Sequence, residues 1–350
     1  MVLAAGVGSR LEPLTSQVPK PLVPVANVPV MEHILNLLRE HDFGEVCANL
    51  HYLPNKLIDY FGDGEKFGIK LQCKIEEKLS GDAGGVRSCR KYLSDGTFIV
   101  INGDLLTDAD LTSIVRQHKE KKALASIAIK AMDDVSRFGV VVTDENGFVT
   151  GFQEKPKQEE ALSHFISTGI YVLEPEVFDH IPLTGDFGFG RQLFPQLVEK
   201  KLAVLGVKID DYWSDVGTLA QYRESNFDAL SDAVHVKVPG KLEKRNGHSV
   251  WLGEGARLSD NVVIDGPLQV GRNTVIGAGT RFSGTVVLGD NITVMAGAQV
   301  SDSIIWSNST VGRNTRIKNS VIGMNCRVDD NTEHCEIAAV ESPPPPVGCA

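Results

Sequence analysis

The residues best equipped for chemistry stand within the first 24. Gly6-Val7-Gly8-Ser9-Arg10 follows a short apolar run, and Lys20 stands between Pro19 and Pro21. Glycine reaches positive φ and lets a backbone come close to a ligand, so successive N–H groups of such a loop can turn inward as an anion nest. Arg10 adds a planar guanidinium to that nest. Lys20 adds an ammonium on a segment stiffened by its two prolines. The combination suits a polyphosphate. Two familiar phosphate loops do not fit it. No lysine follows Gly8 at the Walker A spacing, and Leu11 stands where a dinucleotide fingerprint needs its third glycine.

A loop of this kind must be carried by something rigid. The pattern predicts a strand at 2–4, shortened by the position of Met1, then helices at 29–38 and 54–60 and strands at 46–50 and 69–75. A glycine-rich turn at 80–85 leads into a helix to 93. A strand at 97–101, a helix at 109–121 and a strand at 124–129 follow. This alternation argues an α/β doubly wound sheet, whose ligands gather at the carboxyl ends of strands, where Gly6, Gly81 and Asp104 all fall. From 138 the texture changes to a hairpin about 144–147, a strand at 165–173, and helices at 192–200 and 218–230. Residues 234–248 read as an irregular linker.

Beyond the linker lies a repeat. Leu252, Leu258, Ile264, Val270, Ile276, Phe282, Leu288, Val294 and Val300 stand six apart, and after a one-residue slip the rhythm returns at Ile305, Val311 and Ile317, then Ile322 and Val328. Neither the helical nor the strand period gives that spacing; a stacked coil with one inward aliphatic per face does. The domains expected are therefore 1–232, a linker at 233–248, the repeat at 249–335 and a proline-rich mobile tail at 336–350.

The bulk numbers exclude several classes. The 350 residues are 42% hydrophobic and 23% charged, with a formal net charge of -10, and the mean hydropathy is -0.06. Such an acidic chain is not a general nucleic-acid binder. No apolar run is long enough to span a bilayer and no signal peptide is evident, so a cytoplasmic protein with no membrane partner is expected. The six cysteines lack a C-x-x-C pair and read as free thiols.

Taken whole, Gly-x-Gly-Ser-Arg-Leu-x-Pro-Leu-Thr followed by Pro-Lys-Pro-Leu resembles the signature of sugar-1-phosphate nucleotidyltransferases, and the resemblance covers almost the whole chain. It implies a Rossmann-like domain with a mixed, mostly parallel sheet, then a left-handed parallel β-helix, whose hand comes from the resemblance only. It implies nucleotide contacts from Leu3, Ala5, Gly6, Gly8, Ser9, Gly81, Ala83 and Gly84. Asn102-Gly103-Asp104 looks like the family's Gly-Asp, and Tyr212-Trp213-Ser214-Asp215-Val216-Gly217-Thr218 like its later aspartate motif. Together Asp104 and Asp215 would hold Mg²⁺, an ion that keeps waters and borrows phosphate oxygens. Asp215 alone also reads as a cap for the helix near Thr218.

Phe152-Gln153-Glu154-Lys155-Pro156 resembles the sugar-phosphate motif, with Glu154 on the hexose hydroxyls, Lys155 on the phosphate, and Gly139 and Gly169 beside the ring. Lys155 precedes a proline, so an extended backbone is expected there. Arg10, Lys20, Asp104, Lys155 and Asp215 form the expected catalytic set.

Leu79-Ser80-Gly81-Asp82-Ala83-Gly84-Gly85 is similar to the base-selecting stretch of mannose-1-phosphate guanylyltransferases (GDP-mannose pyrophosphorylases), with Asp82 in place of threonine. GTP and mannose-1-phosphate are therefore the expected substrates. The alternatives are an adenylyl-, uridylyl- or thymidylyltransferase acting on glucose-1-phosphate, or a non-catalytic regulatory subunit that binds a nucleotide sugar. A bifunctional enzyme with acetyltransferase activity in the repeat ranks lower, because residues 252–328 contain no histidine to act as base. The repeat is expected to assemble a homo-oligomer.

Overall fold

The structure is a computed structural model and describes residues 1–335; the expected proline-rich tail at 336–350 lies outside the described residues. The chain opens with strand β1 (Val2–Ala4), a small hairpin of β2 (Pro24–Val25) and β3 (Val28–Pro29), and helix α1 (Val30–Glu40). Next come β4 (Glu45–Leu50), α2 (Pro54–Phe61), β5 (Lys70–Ile75), α3 (Asp82–Ser88), β6 (Phe98–Asn102), β7 (Leu106–Thr107), α4 (Leu111–Glu120) and β8 (Ala125–Ala131). The hairpin β9 (Gly139–Thr143) and β10 (Val149–Glu154) precedes β11 (Phe165–Leu173), α5 (Phe194–Glu199), β12 (Val204–Lys208), β13 (Trp213–Ser214) and α6 (Leu219–Leu230).

These elements fall into two compact units. The first comprises Met1–Val7, Pro19–Leu22 and Ile34–Asp215. Its main sheet runs β10-β9-β11-β6-β1-β4-β5, with β8 on β11 and β12 on β8. The strands β6, β1, β4 and β5 are mutually parallel, and β11 turns antiparallel to β6. Parallel strands are covered on both faces, which is why Val100 and Ile101 of β6 and Ala48 and Leu50 of β4 are all fully buried. The expected mixed, mostly parallel sheet is present.

Local details differ from the expectation where side chains override pattern. Residues 82–85 are not a turn but the first turn of α3, because Gly81 makes the reversal one residue earlier at φ 78. Burial of Ala83 and Val86 then holds the short helix down. Ahead of α5, Phe189–Leu193 forms a π-type turn. Thr218, not Asp215, caps α6, its Oγ1 accepting from the Gln221 amide at 3.3 Å.

The second unit comprises Gly8–Val18, Val23–His33 and the chain from Val216 onward. The expected linker is not irregular. Its second half is β14 (Lys241–Arg245), antiparallel to β15 (His248–Leu252). Asn246 and Gly247, at φ 50 and 84, join them. An Asn-Gly pair with both residues at positive φ is the signal for a two-residue hairpin turn.

The repeat is a parallel β-helix with three ladders. Ile276 pairs in register with Val294, Phe282 with Val300, and Val270 with Leu288, each 18 residues on. From there the coil shortens, so that Val300 meets Ile317 and Ile305 meets Ile322, 17 residues on. The missing residue is taken from one corner, where Ser283-Gly284-Thr285-Val286 in one coil matches Ser301-Asp302-Ser303 in the next. The slip in the sequence is thus one coil geometry giving way to another. The inward column from Val270 to Val328 is buried throughout. At the corners asparagines take left-handed backbone, and down the stack the side-chain amide of Asn273 donates to Asn291 Oδ1 at 3.4 Å and that of Asn291 to Asn308 Oδ1 at 3.0 Å.

The N-terminal segments join this unit through specific bonds. Asn27 Nδ2 donates to Leu288 O at 2.8 Å, and Gln269 Nε2 to Ala26 O at 3.0 Å. The buried Tyr222 hydroxyl donates to Pro24 O and accepts from the Trp306 indole. Burial pushes that phenol well above its usual range.

Candidate active site

At the carboxyl ends of β1, β4 and β6 the first unit holds a cleft of about 490 Å³. Leu3, Ala5, Gly6, Lys20, Gly81 and Asp104 line it, together with Asn49, Glu76, Asp82, Asn102 and Asp186. Six expected site residues therefore share one cavity. Ala83 and Gly84 lie just behind, buried in α3.

Lys20 is the hub of the cleft. Its side chain is only 8% exposed, and its Nζ sits 2.6 Å from Asp104 Oδ2. The same ammonium donates to the backbone carbonyl of Asp215 at 3.0 Å. One nitrogen thus gathers three expected catalytic residues separated by up to 195 positions. The gathering is built by a two-stranded patch: Trp213 pairs with Thr107 and Ser214 with Leu106, so β13 lies on β7 immediately after Asp104. Thr107 Oγ1 donates to Tyr212 O at 2.6 Å, and the Tyr212 amide to Asp108 Oδ1 at 2.9 Å. Trp213 anchors the other side. Its indole N–H donates to Thr168 O at 2.8 Å, and its ring stands edge-on to Phe138 with centroids 5.5 Å apart. A buried Trp with its one donor satisfied fixes the start of β13 in place.

Among the described residues no three His, Cys, Asp or Glu side chains are gathered to hold a metal. What meets at Lys20 is the Asp104 carboxylate and the backbone carbonyl of Asp215, both oxygen donors of the kind a hard cation such as Mg²⁺ takes and not a zinc set.

The expected sugar-phosphate motif lies on the hairpin. Glu154 ends β10 opposite Gly139 of β9, and Lys155 Nζ rests 3.8 Å from Glu154 Oε1 with its side chain 58% exposed. The backbone at Lys155 is not extended as its proline predicts: φ is 49. Its amide bonds Phe138 O at 3.1 Å. That bond continues the ladder one residue past the strand, and the chain then leaves by reversing φ. Gly169, at φ 78, occupies a bulge in β11 where the pairing with β8 slips between Ser167 and Tyr171. A side chain there would overlap the Asn102 amide on the cleft wall.

Gly8, Ser9 and Arg10 belong to the second unit. Gly8 takes the left-handed conformation expected of the loop, φ 74, and its carbonyl accepts from Leu11 N and Thr15 Oγ1 at 3.0 and 2.9 Å. Ser9–Leu11 is a 3-10 turn with Arg10 exposed. Gly6 does not use positive φ; its Cα faces open space.

Sequence reasoning missed Asn49 and Glu76. Asn49 accepts from the Ala4 amide at 3.1 Å and donates to Glu76 Oε1 at 2.6 Å, while Ser80 Oγ donates to Glu76 Oε2 at 2.5 Å. This hydrogen-bonded chain ties β1, β4 and the approach to α3 together next to residues 79–85, the stretch expected to meet the base. An asparagine in an otherwise apolar strand was the available signal, since a buried amide needs partners.

Asp82 proves structural as well as positional. Its Oδ1 accepts from Ala83 N at 2.8 Å and Phe189 N at 2.6 Å. Enclosure by protein holds its carboxyl above the ordinary range against those two donors, with Glu154 adding repulsion. A third polar cluster does no chemistry: His118 bridges Ser126 Oγ at 2.7 Å and Glu174 Oε1 at 3.0 Å. That is the order of a hydrolytic triad, yet Ser126 is fully buried in the sheet, with no approach for a substrate.

Comparison with known proteins follows the same lines. Residues 1–232 match the Nucleotidyl transferase family and residues 247–339 the GMPPB C-terminal domain. The chain is 38% identical over 336 residues to a UTP–glucose-1-phosphate uridylyltransferase of Synechocystis, covering 92% of this chain and 86% of that one. It is 32% identical to a mannose-1-phosphate guanylyltransferase of Mycobacterium tuberculosis, covering 86% and 82%. A solved structure from Bacillus anthracis, assigned as a glucose-1-phosphate thymidylyltransferase, superposes with a TM-score of 0.59 at 25% identity, over 67% of this chain and 96% of that one. No helix among the described residues is long and apolar enough to cross a membrane.

Proposed function

Because the chain belongs to the sugar-1-phosphate nucleotidyltransferase family, we propose that it joins GTP to mannose-1-phosphate, giving GDP-mannose and pyrophosphate. The observations that support guanine and mannose are the stretch at residues 79–85, similar to that of mannose-1-phosphate guanylyltransferases, and the 32% identity to the Mycobacterium tuberculosis enzyme of that name. The second reading, UTP with glucose-1-phosphate, rests on the 38% identity to the Synechocystis enzyme. A pyrophosphate-release screen of GTP, UTP, ATP and dTTP against mannose-1-, glucose-1- and glucosamine-1-phosphate decides between them. GTP with mannose-1-phosphate is expected to lead. No turnover with any pair in Mg²⁺ would favour a regulatory subunit.

In the reaction a sugar-phosphate oxygen forms a bond to the α-phosphorus while the bond to pyrophosphate breaks in line. The nucleophile is already an anion, so no general base is needed, and positioning and charge neutralisation carry the catalysis. Lys20 would offset charge at the α-phosphate, held for the task by Asp104 and the Asp215 carbonyl. Glu154 would fix hexose hydroxyls, Lys155 would aim the sugar phosphate, and Arg10 with its neighbouring amides would hold the departing pyrophosphate. Mg²⁺, bound by Asp104 and Asp215, would supply Lewis-acid charge to the phosphates.

Lys155→Ala is expected to raise the KM for sugar-1-phosphate by about 10-fold or more while leaving that for nucleotide nearly unchanged. Steady-state kinetics with each substrate varied would check this; a nucleotide effect instead would exchange the two subsites. The repeat is proposed to carry a homo-oligomeric interface, which light scattering on the full chain tests.

A further inference from the structure

Phe152 and Glu154 stand on β10 with a glycine against each flank. A Cβ built on Gly139 would meet Phe152 Cζ at 2.5 Å and Glu154 Oε2 at 3.5 Å. Gly190, inside the π-type turn Phe189–Leu193, is tighter: a Cβ there would overlap Glu154 Oε2 and meet Phe152 Cε1 at 2.9 Å. Single π-type turns often mark functional positions in helices.

This turn is held from two sides. Toward the base-selecting stretch, Phe189 N donates to Asp82 Oδ1 at 2.6 Å, Phe187 N to Ser80 O at 2.8 Å, and Gly84 N to Phe187 O at 2.9 Å. Toward the core, the Phe189 ring lies 4.6 Å from Tyr171 and 5.3 Å from Phe194. The turn backbone is therefore pinned, while the Glu154 carboxylate is the free end of a flexible side chain. Any atom added at 190 moves the carboxylate.

We propose that Gly190 is a specificity-determining position for the hexose: its absent side chain is the space that sets the Glu154 carboxylate at the height from which it meets the sugar hydroxyls. The inference rests on the assignment of Glu154 to the sugar made under Proposed function. It also makes Asp82 a positioning residue for the sugar side, since Asp82 pins the turn that carries Gly190.

The test is steady-state kinetics on the full chain with GTP and mannose-1-phosphate, and with UTP and glucose-1-phosphate. The variants are Gly190→Ala, Glu154→Ala, Glu154→Asp and the double Gly190→Ala/Glu154→Asp. Gly190→Ala is expected to raise the sugar-1-phosphate KM about 10-fold while nucleotide KM stays within about 2-fold. In the double variant the shorter carboxylate clears the new methyl, so its sugar KM should fall below that of Gly190→Ala, a non-additivity that a packing defect would not produce. If Glu154→Ala raises the sugar KM and Gly190→Ala does not, the role of Gly190 is wrong. If Glu154→Ala leaves the sugar KM unchanged, the underlying sugar assignment is wrong. A Gly190→Ala chain that melts early and is not restored by Glu154→Asp also overturns the proposal, because the clash then lies with the core and not the carboxylate.

Discussion

Asp104→Asn lowers kcat by at least about 100-fold, the scale lost when one preorganised charge at a phosphoryl-transfer site is removed. The variant keeps the size of the side chain, so loss of charge is what is measured. Asp215→Asn is expected to match it in kcat. The two differ in stability, and the geometry says why. Lys20 touches the side chain of Asp104 but the backbone carbonyl of Asp215. Asp104→Asn therefore leaves a nearly buried ammonium without its carboxylate, at a cost of about 1–3 kcal/mol, whereas Asp215→Asn retains the carbonyl that Lys20 uses. Turnover in Mg²⁺, and chemical denaturation of both variants, read these two quantities separately. Wild-type turnover in either variant, or full activity in chelator, would remove the metal assignment. Equal destabilisation by both would contradict the role given to Lys20.

The second large effect is expected from the repeat. Ile276 is 1% exposed and sits in the ladder between Leu258 and Val294. Ile276→Asp places an unpaired carboxylate in that column and costs several kcal/mol, in the range of about 2–7 for an uncompensated polar group. Ile276→Val, which removes one methyl, should cost only about 0.5–1.5 kcal/mol.

Motif order in the sequence suggests that chemistry would outlast such damage, because every catalytic motif precedes residue 219. The grouping of the chain argues for the opposite outcome. Gly8–Val18 and Val23–His33 belong to the same compact unit as the repeat, and Ala26 and Asn27 are bonded to Gln269 and Leu288 of its coils. Turnover should therefore fall together with the folding of the repeat, followed in parallel by denaturation, light scattering and pyrophosphate release. Full activity in a chain whose repeat has lost its cooperative transition would show that the N-terminal loop stands without it.

What the sequence determined by itself was whatever repeats or alternates locally. The six-residue period required an inward column, and the register confirms it residue by residue, because a coil of 18 or 17 residues returns each aliphatic over the last. The strand–helix alternation placed Gly6, Gly81 and Asp104 at strand ends, since a buried parallel sheet leaves its ligands only that edge. The glycine loop with Arg10 and Lys20 carried the expectation of a phosphate ligand, because few other ligands need that much donor density.

Tertiary structure decided everything that depends on chains meeting far from one another. The meeting of Asp104 and Asp215 needs β7 and β13 to pair across more than a hundred residues, and no local periodicity encodes that. The Asn49–Glu76–Ser80 chain is visible only once burial makes each polar atom demand a partner. Lys155 obeys the hairpin ladder in place of its proline. Gly190 reads as one more loop glycine until Glu154 is seen lying in the space it leaves. The physical reason is the same in each instance. Local sequence fixes backbone preference and the face a residue presents, worth tenths of a kcal/mol to about one per residue. Which faces meet is settled by the burial and pairing energy of the whole assembly, against which those preferences yield.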